Sequence, residues 1–174
     1  MPEGHVYLAV SMDGYIARKD GGLDWLDQPG AAGEDHGFDA FIAAMDGIVM
    51  GRKTYETVLS FGAWPYPIPV IVLSRGTGAM PVPEGAKVYR AAAPDKAWAQ
   101  AAARGWRNVY VDGGETARAF MEKGRVSRLT LTRVPVLLGE GAPLFAPMAK
   151  APRLSHLETR SFPSGLVQST YALG

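Results

Sequence analysis

The sequence predicts an α/β fold: a mainly parallel central sheet, helices on both faces, and antiparallel strands at the C-terminal edge. Three observations carry this. Short runs rich in Val, Ile, Leu and Tyr alternate with helical patterns as far as Gly124. One run, Ile68–Ser74, is almost continuously apolar, as strands buried on both faces of a parallel sheet are. From Arg128 onward, strand patterns follow one another with no helix between them.

Taken in order, His5–Val10 (HVYLAV) is the first strand. Phe38, Phe41, Ile42 and Met45 recur at the spacing of one helix face, and Gly47 stops that helix. Ile48–Met50 is a short buried strand, and Arg52–Ser60 is helical. After the Ile68–Ser74 strand comes a short one at Lys87–Arg90. Pro94 opens a helix through Ala103, at the first-turn position where its missing N–H costs nothing. Asn108–Val111 is a strand, and Thr116–Glu122 a helix ended by Gly124. Leu129–Leu138, Arg153–Phe162 and Val167–Leu173 are strands, the last two a hairpin closed near Pro163-Ser164-Gly165.

A length of 174 residues suits one domain, 1–174, without internal repeat or linker. Hydrophobic residues at 47% and charged residues at 20% are globular proportions, which excludes a disordered or fibrous chain. There is no cysteine, so no disulfide scaffold, thiol nucleophile or Cys-ligated zinc is expected. Three scattered histidines (His5, His36, His156) predict no metal site. No apolar run nears the roughly 20 residues a membrane helix needs, and no signal peptide is readable, so a cytoplasmic protein is expected. The net charge of +1 hides a net of −5 in residues 1–87 and +6 in 88–174. Because the cations form no dense block, nucleic acid is not an expected partner.

Three strand-end turns suit anions. Gly51-Arg52-Lys53-Thr54 follows a strand and opens a helix, where uncapped N–H groups and the helix dipole attract phosphate. It is not a Walker A loop, since Arg52 stands where the lysine should follow the glycine. A basic first turn with a capping glycine explains the same four residues. Ser74 and Arg75 end the Ile68–Ser74 strand and suit a monoester phosphate. The third turn, Asp112-Gly113-Gly114-Glu115-Thr116, lets a pyrophosphate approach the backbone. Any one of these turns is common. Three of them, each at a strand end where open α/β sheets bind ligands, point to a dinucleotide.

Residues 13–46 hold eight Asp/Glu. Asp35 and Asp39 stand out because they begin the helix carrying the Phe38/Phe41 face. They stabilise the helix dipole, or one faces a cleft, its pKa raised by burial, and binds or protonates a nitrogen heterocycle. Ser11-Met12-Asp13-Gly14 begins a glycine-rich stretch to Gly22 that suits a lid or a plain loop, with Trp25 beyond it as a cover or as core.

The segments SMDGYIA (11–17), DGIVMGRKTYE (46–56), VIVLSR (70–75), VYVDGG (109–114) and PVLLGEGAPLF (135–145) occur in an order that resembles the dihydrofolate reductase-like fold. The likeness is to the reductase family related to the C-terminal half of bacterial riboflavin-biosynthesis proteins. It implies an NADPH cofactor across the strand ends. Gly51, Arg52, Lys53 and Thr54 would hold the pyrophosphate with Gly113, Gly114, Glu115 and Thr116, the second turn through a cis peptide as in folate reductases. Ser74 and Arg75 would take the 2′-phosphate, and Ala9 and Ile16 would line the nicotinamide pocket. Asp35 would be the catalytic acidic residue, with Asp39 one turn later as its alternative. Trp25 and Phe38 would contact substrate, and Thr132 would orient the carboxylate.

Asp24-Trp25 replaces the Pro-Trp pair of folate reductases, and no arginine is placed to clamp a glutamate tail. Both departures point away from dihydrofolate as the natural substrate. The riboflavin-pathway reductase acts on 5-amino-6-(5-phosphoribosylamino)uracil, usually fused to a zinc deaminase, for which this chain has no cysteines. The expected function is NADPH-dependent reduction of a pterin- or pyrimidine-like small molecule. The alternative is a non-catalytic nucleotide-binding module of the same fold, which needs the anion turns but no carboxyl in the cleft. The terminal antiparallel edge, and the resemblance, predict a homodimer.

Overall fold

A computed structural model describes residues 1–150 and 152–174. Eight strands form one sheet in the order β5-β4-β3-β6-β1-β7-β10-β9. In chain order the sheet strands are β1 (Glu3–Ser11), β3 (Gly47–Gly51), β4 (Val70–Leu73), β5 (Val88–Ala91), β6 (Asn108–Asp112), β7 (Val126–Val134), β9 (Leu154–Ser161) and β10 (Val167–Leu173). The six strands from β5 to β7 run parallel, and β10 and β9 are added antiparallel. A small antiparallel ladder, β2 (Tyr15–Ala17) with β8 (Ala142–Pro143), lies outside the main sheet.

The four helices are α1 (Phe38–Ala43), α2 (Arg52–Leu59), α3 (Pro94–Ala103) and α4 (Gly114–Glu122). Successive strand residues point to opposite faces, so each sheet face has its own core. Val6, Val49, Ile71, Val109 and Val111 pack on Trp98 of α3 and Ala117 and Phe120 of α4. On the other face Ile48, Met50, Val70, Val72 and Tyr110 meet Ile42 of α1 and Tyr55 and Leu59 of α2. A third cluster joins Trp25, Val134 and Leu166 beside the lid.

Most of the expected elements stand where their patterns put them, and α3 and β10 keep both expected ends. Four differ for local reasons. α1 ends at Ala43, short of Met45, because Asp46 leaves the helix to accept the N–H groups of Arg107 and Asn108 at 2.7 and 2.8 Å. Gly47 therefore does not stop a helix; it opens β3 beneath the Trp106 ring, which a Cβ there would overlap. α4 starts at Gly114 rather than Thr116, since Gly113 takes φ +88° and turns the chain early. β7 covers Val126–Val134, not Leu129–Leu138, because Pro135 has no N–H for the ladder.

Candidate functional site

The site begins with a split in the sheet. β1 and β6 are paired at Glu3↔Asn108, Gly4↔Val109 and His5↔Tyr110, and there the ladder stops. Beyond it β1 stays with β7 as far as Ser11↔Val134, while β6 stays with β3 as far as Met50↔Asp112. The two central strands thus part toward their C-terminal ends and leave a slot. Tyr7 and Ala9 border it on one side, Asp112 and the two glycines on the other. The Tyr110 hydroxyl donates to the Tyr7 carbonyl at 3.1 Å, satisfying a backbone acceptor that no longer has a ladder partner.

Two anion turns meet above this slot. Neither α2 nor α4 has a side-chain cap, so their first N–H groups keep no intrahelical or capping partner. A Cβ on Gly51 would stand 3.1 Å from the Thr116 hydroxyl, and one on Gly113 would run into the Thr54 hydroxyl. The Gly51–Thr54 and Gly113–Thr116 turns are therefore in contact and form one cradle. All peptide bonds among the described residues are trans, so the Gly113–Gly114 cis peptide is not present; the positive φ of Gly113 makes the turn instead. Lys53 and Glu115 project into solvent from the two first turns.

At the next strand end, the Arg52 guanidinium lies 3.4 Å from the Ser74 hydroxyl and binds Glu56 at 2.6 Å. Arg75 is exposed beside them. Ser74, Arg75 and Arg52 thus share one surface. Gly114 fits tightly under the lid, where an added Cβ would stand 2.5 Å from Ile16 Cδ1. Uncapped helix N-termini, a cradle that any side chain would fill, and adjacent guanidinium groups fit the two phosphates and the 2′-phosphate of NADPH.

The carboxyls are distributed differently from the sequence expectation. Asp35 is exposed, and its Oδ1 accepts the Gly37 N–H at 2.7 Å, so it does not present a buried carboxyl to a cleft. Asp39 is exposed in the first turn of α1, where it suits the helix dipole. Thr132 is buried; its hydroxyl accepts from Gln168 Nε2 at 2.9 Å, and it pairs with Ala9 across β1 and β7. Phe38 packs edge-on against Tyr7 at 5.7 Å and so forms a wall. Trp25 is 4% exposed in a 3-10 turn, Asp24–Leu26, and its buried Nε1 has no hydrogen-bond partner.

The buried acid is Asp112, 7% exposed at the end of β6. Gly113 N–H donates to its Oδ1 at 2.8 Å and the Tyr66 hydroxyl to its Oδ2 at 3.3 Å. Burial pushes its carboxyl above the ordinary value, against the weaker pull of Tyr110, Gly113 and Tyr66. The signal for it was an aspartate inside a strand-end motif, Val111-Asp112-Gly113-Gly114. Nothing in that string shows that Tyr66, 46 positions earlier, closes over it. Among the described residues no group of three acidic or histidine side chains is placed to hold a metal.

The lid is anchored rather than loose. Asp13 takes the Ser11 hydroxyl at 2.7 Å and the N–H groups of Leu138 and Gly139 at 3.1 and 2.7 Å. Arg118 of α4 donates to the carbonyls of Pro143 and Leu144 at 2.8 Å each, and Leu144 N–H bonds Gly14 at 2.9 Å. The 11–17 segment is thereby held across the 138–144 segment, with Ile16 over Gly114.

A profile of the RibD C-terminal domain matches residues 2–168. The chain belongs to that family. Within the RibD C-terminal family, it is 36% identical to a putative riboflavin biosynthesis protein from Shewanella sp. PV-4, over 99% of both chains, with a TM-score of 0.91. It is 30% identical to Bacillus subtilis (strain 168) YwjB, an uncharacterized protein, over 90% of each. The dihydrofolate reductase of Enterococcus faecalis, complexed with NADP(H), shares the fold at a TM-score of 0.68 and 19% identity, over 99% of this chain and 96% of that one. The dihydrofolate reductase-like architecture is thus established. Among the described residues no helix is long and apolar enough to cross a membrane.

The Asp13 anchor has a pH signature. The Ser11 hydroxyl first, then the two N–H groups, hold its carboxyl down to about 2 from an ordinary 3.8. A lowered folded-state pKa means that the anchor is complete above the ordinary value and lost as pH falls through about 2. The Gly139 amide resonance should titrate with a midpoint near 2 and should lose that titration in Asp13→Asn; a midpoint near 3.8 would remove the anchor.

Proposed function

We propose that the chain is an NADPH-dependent oxidoreductase. It delivers a hydride to a C=N or C=O bond of a pterin- or pyrimidine-like small molecule, and works as a cytoplasmic homodimer. The buried Asp112 carboxyl at the open end of the β1–β6 slot, next to the glycine cradle, carries this proposal. A module that only bound nucleotide would need the cradle, but would gain nothing from a carboxyl whose burial costs stability.

NADPH, when bound, supplies the hydride. Gly51, Arg52, Lys53 and Thr54 hold its pyrophosphate together with Gly113, Gly114, Glu115 and Thr116. Ser74 and Arg75, with Arg52, take the 2′-phosphate. Ala9 and Ile16 border the nicotinamide end of the slot. Trp25, Phe38 and Thr132 line the substrate side, with Asp35 and Asp39 at its rim as recognition groups. The proton role passes from Asp35 to Asp112. Burial favours the protonated form of Asp112, so its carboxyl oxygen can donate to a nitrogen or oxygen that gains charge as hydride arrives. The Tyr66 phenol, whose own ionisation burial opposes, stays a donor and fixes the other oxygen. The dimer rests on β9, an edge strand exposed along its full length, with Leu154 and Leu157 presented to solvent. Light scattering at micromolar concentration should give about twice 18.6 kDa; a monomer mass removes the dimer.

Thermal-shift titration with NADPH and NADH side by side tests the cofactor, since a ligand that binds only the folded state raises apparent stability by RT ln(1 + [L]/Kd). NADPH should give the larger shift. A charge-assisted bond contributes roughly 1.5–3 kcal/mol, so Arg75→Ala should weaken NADPH about 10- to 150-fold and leave NADH nearly unchanged. Equal losses for both cofactors take Arg75 out of the 2′-phosphate site.

The proton assignment has two coupled readouts. Asp112→Asn should lower kcat by about 100-fold or more without weakening NADPH. The melting temperature of the variant relative to wild type should be more favourable at pH 8 than at pH 5. A carboxyl whose folded pKa is raised contributes stability at low pH and loses it as pH rises through that pKa. Asp35→Asn should act on KM instead. Turnover that survives in Asp112→Asn and collapses in Asp35→Asn reverses the two roles.

A further inference from the structure

Residues 27–37 form an irregular segment between the 3-10 turn and α1, with Gly30, Gly33 and Gly37 at positive φ. It leads directly into Phe38, which packs edge-on against Tyr7 and Tyr110 beside the slot. Such a segment has little local stability of its own. Its position is set by ties concentrated on three consecutive residues. The His36 carbonyl accepts from the Tyr7 hydroxyl and from Gln168 Nε2. The His36 ring meets Phe162 edge-on at 4.6 Å. Arg160 reaches the Asp35 carbonyl at 3.5 Å.

Glu34 makes the remaining tie, to the turn at Pro163-Ser164-Gly165 that closes the β9–β10 hairpin. Its Oε1 accepts the Ser164 N–H at 2.9 Å, and its Oε2 accepts the Ser164 hydroxyl at 2.6 Å. Oε2 also lies 3.0 Å from His36 Nε2. The carboxylate is only 12% exposed, and the Ser164 hydroxyl first, then His36, hold its pKa below the ordinary value. Both oxygens of one side chain thus meet donors of one residue 130 positions away. The carboxylate accepts both bonds at once, and truncating it leaves the Ser164 N–H and hydroxyl without that partner.

We propose that Glu34 is a positioning residue for the substrate side of the site: it clasps the 27–37 segment to the hairpin turn and so holds the Phe38 wall in place before ligand arrives. The clasp lies away from the cradle at Gly51, Ser74 and Gly113, so it acts on substrate and not on cofactor. Its substrate consequence rests on the function proposed above, whereas the clasp itself does not.

Hydrogen exchange on the full chain tests it, comparing wild type with Glu34→Ala, Ser164→Ala and the double variant. Amides in 27–37 should exchange about tenfold faster in each single variant, and no faster again in the double. Amides of β3, β4 and β5 should not change. Ser164→Thr, which keeps the hydroxyl, should retain wild-type protection. Affinity for pterin, used as the probe, should fall about tenfold in Glu34→Ala while NADPH affinity holds. Unchanged exchange at 27–37 in both single variants, or acceleration across the whole chain, overturns the clasp. Should Glu34→Ala not fold, Ser164→Ala removes a single oxygen at a turn and carries the comparison. A wild type that binds NADPH but not pterin sinks the proposed substrate class, and the exchange data then decide the clasp by themselves.

Discussion

The site depends on one interruption of hydrogen bonding: the β1–β6 ladder ends at His5↔Tyr110 although both strands continue. A central strand pair normally pairs along its full length, because a buried backbone group without a partner is costly. Here each strand keeps its other neighbour, β7 for β1 and β3 for β6, and so loses only one side. The Tyr110 hydroxyl bridges to the Tyr7 carbonyl near the start of the split. The slot is therefore produced by the strands that form the sheet, and the strand edges that frame it are held by the sheet's remaining ladders.

A buried acid stands at the slot's end. Asp112 sits where the strand stops and a positive-φ glycine turns the chain, so a backbone N–H is available to one oxygen and Tyr66 to the other. Neither partner carries charge, so burial outweighs them and the proton is favoured. An ion-paired aspartate at the same point would be held in its charged form. Among the described residues no cation pairs with Asp112, which leaves burial as the larger influence on its carboxyl.

Legibility in the sequence followed the range of the interaction. Elements set by period and by local chemistry were readable: the apolar strands, Pro94 at the head of α3, the glycine turns at 51 and 113. The cradle was readable because its parts are strand ends, and parallel strands bring their ends to one edge. Long-range side-chain contacts were not. Asp35 was expected to face the cleft, but its carboxyl turns back to Gly37 two residues away, an Asx geometry that competes with a role in a cleft. Asp112 is buried by Tyr66, and Thr132 is taken by Gln168, contacts between residues 46 and 36 positions apart. The Tyr15–Ala17 ladder with Ala142–Pro143 was missed because two or three residues carry no period.

The two sides of the slot are built by different means. On the β3–β4–β5 side the ligand-facing groups are mainly backbone N–H groups and glycines at the ends of fully paired parallel strands, positioned by the sheet. On the β7–β10–β9 side the walls come from the lid and the 27–37 segment, each held by a few side chains: Asp13 on Leu138 and Gly139, Glu34 on Ser164, Arg118 on the 143–144 carbonyls. A backbone cradle tolerates most substitutions, because it needs only glycine at a few points. Walls pinned by single carboxylates change shape with one substitution.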